Sequence, residues 1–99
     1  MLYTISGEDT PNSLAKRLEI REQHLSRLRE LQAAGRLVIA GPHPTIDSKA
    51  PGEAGFSGSL IIAEFDSLSD AKNWADSDPY LTHGVYQKVS VKPFIKALP

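Results

Sequence analysis

The sequence predicts an α+β domain in the order βαββαβ, a four-stranded antiparallel sheet carrying two helices on one face. Three features predict it. Leucines at 14, 18, 25, 28 and 31 repeat with the 3.6-residue period of a helix. Four short apolar runs closed by glycine or proline read as strands. A helix-start pattern at Ser67–Asp70 separates the third run from the fourth.

Leu2 to Ile5 is a β-prone run closed by Gly7, so a first strand begins near residue 2. The turn-rich stretch from Gly7 to Ser13 follows. The leucine steps then give about 20 residues of helix, with Asn12 or Ser13 as the cap and Gly35 as the left-handed stop. Leu37–Ala40 is a short buried strand halted by Gly41-Pro42. Pro42, Pro44 and Pro51, with Gly52, Gly55 and Gly58, make residues 42–58 one long irregular loop. Such loops in compact domains often cover a site or reach a partner subunit. Gly58–Phe65 is apolar at both parities in its centre, as an interior strand is. Ser67-Leu68-Ser69-Asp70 is a capping box with aspartate in place of glutamate. It opens a helix through Ala71, Trp74 and Ala75 that Pro79 is expected to end. Val85, Gln87, Val89 and Val91 alternate with Tyr86, Lys88, Ser90 and Lys92 in a fourth strand closing near Pro93. The order is that of the ferredoxin-like fold.

Ninety-nine residues suffice for one domain with one core, and residues 1–99 are read as that domain. Hydrophobic residues at 40% and charged residues at 23% place the chain among folded proteins. Eleven basic against twelve acidic side chains leave a net charge of -1, so nucleic acid and membrane surfaces are not expected partners. Cysteine is absent, which removes disulfides, thiolate metal sites and cysteine nucleophiles. The first residues lack a basic start with a long apolar run, and no segment approaches the ~18 apolar residues of a membrane span, so a cytoplasmic protein is expected. Apolar residues at both parities of the third and fourth strands predict that the helix-free sheet face is covered by a second copy, in a homodimer.

Five residues are candidates for chemistry. At about 100° per residue, the leucines at 14, 18, 25 and 28 fall within about 80° of one another, with Arg21 among them. His24 falls about 40° past Leu28, on the flank of that stripe, where its ring could move a proton in a groove beside the sheet. Asp78 precedes Pro79 at a helix exit, where a carboxylate could orient an imidazole. From spacing alone the plainer readings carry more weight: a boundary histidine bonded to a backbone carbonyl, and a turn aspartate. Arg21, inside the stripe, is the arginine expected to hold an anionic group, with Gly41 and Ser59 supplying backbone and hydroxyl contacts to a small-molecule ligand. His43 and His83 share no ligand spacing with His24, so no metal is expected, and no phosphate loop or nucleophile elbow is present. No organic cofactor is expected either.

Several stretches together resemble the YciI family, or YCII-related domain. They include Lys16-Arg17-Leu18, Arg21 with His24-Leu25, Gly35-Arg36-Leu37 leading to Ala40-Gly41-Pro42, and Gly55-Phe56 with Gly58-Ser59. Further on stand Trp74-Ala75-Asp76, Asp78-Pro79-Tyr80, Gly84-Val85-Tyr86 and Val89-Ser90-Val91-Lys92-Pro93-Phe94. The resemblance implies a dimeric α/β barrel like those of muconolactone isomerase and small monooxygenases, with a pocket on each subunit. It also implies a histidine–aspartate catalytic pair, here His24 and Asp78, and some relatives remove chloride from chlorinated aromatics. The expectation is therefore a cofactor-independent, lyase- or isomerase-like enzyme acting on a cyclic or enolisable compound. A non-catalytic small-ligand-binding dimer is the alternative.

Overall fold

A computed structural model describes residues 1–99. Its elements are β1 (Leu2–Asp9), α1 (Leu14–Ala33), β2 (Leu37–Pro44), β3 (Phe56–Glu64), α2 (Leu68–Asp76), α3 (Pro79–Thr82) and β4 (Tyr86–Phe94), with one 3₁₀ turn at Gly52–Ala54. The four strands form one antiparallel sheet in the order β2-β3-β1-β4. The interior position expected for the third strand holds, and the fold is ferredoxin-like.

β2 and β4 are the edges, which explains a difference from the sequence reading. β2 does not stop at Gly41-Pro42 but runs on to Pro44, pairing Pro42 with Ser59 and Pro44 with Phe56. Proline lacks the N–H of an inner ladder, yet an edge strand needs hydrogen bonds on one side only. The irregular loop is correspondingly shorter than 42–58. α1 ends at Ala33, with Gly35 at φ 72 just beyond.

The helices cover one face. α1 packs beside β2, and α2 packs over β1 and β4. Between them and the sheet lie Tyr3, Ile5, Leu28, Leu31, Ile61, Ala63, Phe65, Ala71 and Ala75. Ser67 accepts the Asp70 N–H at 3.0 Å, so the expected cap of α2 is present. Pro79, however, does not end α2. That helix has finished at Asp76, and Pro79 is the first residue of the one-turn helix α3, where its missing N–H costs nothing.

The register also corrects the reading of the fourth strand. Val89 pairs with Gly7 and Val91 with Ile5, both on the helix-covered face, so Lys88, Ser90 and Lys92 occupy the other. The helix-free face is apolar mainly where Ile39, Leu60 and Ile62 meet, with Leu2 and Phe94 at one end, and polar across Ser6, Glu8, Lys88 and Ser90.

Candidate active site

The site grows from the buried stripe of α1. Leu18 is 60% exposed and Arg21 is exposed, whereas Arg17, Ile20, His24, Leu28 and Leu31 are buried. The steps 17, 20, 24, 28, 31 keep to one helical face, but two of its members are polar. Counting apolar residues alone turned the axis toward Leu18 and Arg21. His24 accordingly lies within the stripe, 6% exposed, and not on its flank.

Both polar members are paired with carboxylates. His24 Nδ1 lies 2.9 and 3.0 Å from the two oxygens of Asp78, which is only 2% exposed. Asp78 is held by its own place in the chain: it caps α3, with Oδ1 accepting the Tyr80 N–H at 2.9 Å. An ionised carboxylate only accepts, so Nδ1 carries the proton and Nε2 presents its lone pair. Nε2 makes no hydrogen bond within the chain and is not sealed from open space. The Tyr80 ring stacks on the imidazole at 3.9 Å between centroids and 8° between planes, and Tyr86 meets both edge-on. These contacts lock the ring's orientation.

Arg17, a charged side chain on the first helix, is only 5% exposed. Its Nε and Nη2 donate to Asp9 at 3.0 and 2.9 Å, a bidentate pair, and Nη2 donates also to Ser59 Oγ at 2.9 Å. Ser13 donates to Asp9 at 2.7 Å instead of capping α1 through its side chain. Burial pulls the Arg17 pKa down, but the hydrogen bonds and charge of Asp9 outweigh it, and the guanidinium is held above its ordinary range. The same burial raises the phenols of Tyr80 and Tyr86. The Tyr86 ring can lie flat against β1 because residue 7 is glycine: a Cβ there would come within 2.5 Å of the ring. The Tyr86 hydroxyl is buried without a hydrogen-bond partner.

These side chains border a cavity of about 200 Å³ between α1 and the β2–β3 edge, walled by Arg17, His24, Leu25, Leu28, Ile61 and Tyr80. Arg21, Gly41 and Ser59 also border it, Arg21 at the exposed rim. Asp78 does not: it stands behind the imidazole. An apolar cavity of about 150 Å³ can hold benzene, so this one suits a single substituted ring. A more open depression of about 390 Å³ beside the β1–α1 turn shares none of Arg17, His24 and Tyr80, and is polar and without histidine. His43 and His83 lie exposed and apart from His24, and no three His, Cys, Asp or Glu side chains converge.

Fold and site together define a ferredoxin-like α+β protein whose helix-covered sheet face bears a buried His–Asp pair at a small cavity. The chain belongs to the YCII-related domain family, whose model matches residues 1–95. It is 57% identical over 96 residues to the protein YciI of Escherichia coli, covering 97% of this chain and 98% of that one. Among solved structures it is similar to 5-chloro-2-hydroxyhydroquinone dehydrochlorinase from Burkholderia phenoliruptrix in complex with 2,5-dihydroxybenzoquinone. The likeness there is a TM-score of 0.84 and 25% identity over 96% of this chain and 94% of that one. A dimeric ferredoxin-like protein from an uncultured marine organism shares the fold at a TM-score of 0.50 and 13% identity, over 99% of this chain and 95% of that one. No helix is long and apolar enough to cross a membrane.

Proposed function

We propose that the protein is a cofactor-independent enzyme acting on a small cyclic or enolisable compound, with His24 as the acid/base and Asp78 as its orienting carboxylate. The observation that carries this is the direct 2.9 Å contact of Asp78 with Nδ1, which leaves Nε2 as the proton acceptor at the cavity. A substrate C–H or O–H bond breaks, its proton passes to Nε2, and its electron pair stays in the conjugated system. Asp78 stabilises the imidazolium until the proton is returned to another atom or lost with a leaving group. The likeness to a dehydrochlorinase supports a lyase- or isomerase-like outcome. A pure binding module would have no need of the fixed tautomer.

The test is chloride release from 5-chloro-2-hydroxyhydroquinone, together with solvent-deuterium exchange into a panel of cyclic enols followed by NMR. His24→Gln is expected to lower the rate by about a thousandfold or more, within the usual contribution of a positioned acid/base. Exchange at the buffer rate with the wild-type protein, or equal rates for wild type and variant, would refute the reading.

We infer further that two copies pair through the apolar part of the helix-free face, around Ile39, Leu60 and Ile62. The exposed Ile39 beside the half-buried Leu60 and Ile62 supports it, as does the dimeric state of a protein with the same fold. Light scattering should give twice the 10.8 kDa chain mass at micromolar concentration, and Ile62→Lys should halve it. A monomer mass for the wild type excludes the pairing.

A further inference from the structure

We propose that Arg17 is the oxygen-binding residue of the cavity, and that the site takes a planar, conjugated hydroxy-ketone or hydroxyquinone whose oxygen it receives while His24 takes the proton. This deepens the acid/base reading of His24 and rests on it.

A guanidinium has five N–H donors. In Arg17, Nε and Nη2 are committed to Asp9 and Ser59, while the two N–H groups of Nη1 make no hydrogen bond within the chain. Nη1 is nevertheless not sealed in the protein. The buried, partnerless side-chain polar atoms are Arg27 Nη1 and the Tyr86 hydroxyl, so Arg17 Nη1 keeps access to open space. The cavity that Arg17 borders is the one His24 borders. A fixed cation with two unspent donors and a fixed imidazole with one unspent acceptor thus line one space sized for one ring. Tyr80 connects them: its ring stacks on His24, and the Arg17 guanidinium carbon lies 4.8 Å from its centroid.

This arrangement selects a chemistry. Asp9 already balances the Arg17 charge, so the free Nη1 edge attracts a directed oxygen lone pair more than a mobile anion. In a conjugated hydroxy-ketone, the pair released when the O–H or adjacent C–H bond breaks is delocalised onto the carbonyl oxygen. Proton to Nε2 and charge to the oxygen at Nη1 are therefore two ends of one step, and no oxidant, reductant or metal is needed for its balance. Preformed donors aimed at developing negative charge are an effective way to lower such a barrier. The bidentate clamp of Asp9 and the contact to Ser59 make the donor immobile, so Asp9 is a positioning residue for Arg17.

The test uses 2,5-dihydroxybenzoquinone as probe, titrated by absorbance against wild type, Arg17→Lys and His24→Gln. Lysine keeps a positive charge beside Asp9 but has no second nitrogen to offer the cavity. Arg17→Lys is expected to weaken probe binding by about tenfold or more, the loss of a charge-assisted contact, and to abolish the shift of the probe's absorption band on binding. His24→Gln should bind the probe within about threefold of wild type, while losing solvent-deuterium exchange into cyclic enols. Should Arg17→Lys fail to fold, the pair Asp9→Asn/Arg17→Gln removes both charges together and is read in the same way. Unchanged probe affinity and band position in a folded Arg17 variant overturn the assignment of Arg17 and leave the His24 reading standing. Absence of exchange with wild type, with probe binding still dependent on Arg17, overturns the His24 reading alone.

Discussion

Replacing Asp9 by alanine is expected to destabilise the protein by about 3–5 kcal/mol, because it strands a buried cation. Arg17 and Asp9 have side-chain exposures of 6% and 2%, and Arg17 would keep only the Ser59 oxygen as an acceptor. The stability of a chain this size is on the order of 5–15 kcal/mol, so the loss takes a large share of it. The melting temperature should fall by tens of degrees, at roughly 4–8 °C per kcal/mol. Converting Arg17 to methionine in the same molecule should restore part of the loss, since a buried pair replaced on both sides by apolar groups is often neutral. Thermal and urea unfolding of the two single variants and the double one measure this directly. A cost below about 1 kcal/mol for Asp9→Ala would mean that water reaches the pair and that it does not hold the site together.

Asp78→Asn is expected to bring nearly the whole kinetic loss of His24→Gln, with little change in stability. The amide oxygen can still accept the Tyr80 N–H, so the cap of α3 survives. Its NH₂ would then face Nδ1 of His24, which must become the acceptor, and the ring proton moves to Nε2. The histidine keeps its place with the wrong nitrogen free. In a Ser-His-Asp triad the same substitution lowers kcat by about ten-thousandfold, and here a fall of about a thousandfold or more is expected. The cost in stability should be about 1–2 kcal/mol, as neutral hydrogen bonds replace charge-assisted ones. Ring ¹⁵N shifts report the tautomer independently of turnover. Retention of the Nδ1–H form in the variant, or an undiminished rate, would show that Asp78 does not set the tautomer.

The fold was largely legible because its signals are local. The leucine period of α1, the Ser67 cap, Gly35 after the helix and the apolar runs each act within a few residues, and their order alone selects the split βαβ layout. The errors lie where local rules meet a position in the sheet. Gly41-Pro42 reads as a stop, but β2 is an edge strand and tolerates it. Val89 and Val91 read as part of a two-sided apolar strand. Their pairing with Gly7 and Ile5 puts both on the helix-covered side.

The sequence by itself determined the four strands and two main helices, their order, the absence of thiol chemistry and, through family resemblance, the pairing of His24 with Asp78. Only the tertiary structure decided which face of α1 is buried and what stands behind the cavity. Arg17 and His24 look like surface residues to any count of hydrophobicity. They are buried because Asp9 and Asp78, which lie 8 and 54 residues away in the chain, arrive opposite them. A charge can leave water only where a partner of opposite charge and fitting geometry awaits it, and that condition is met by the packing of separate elements.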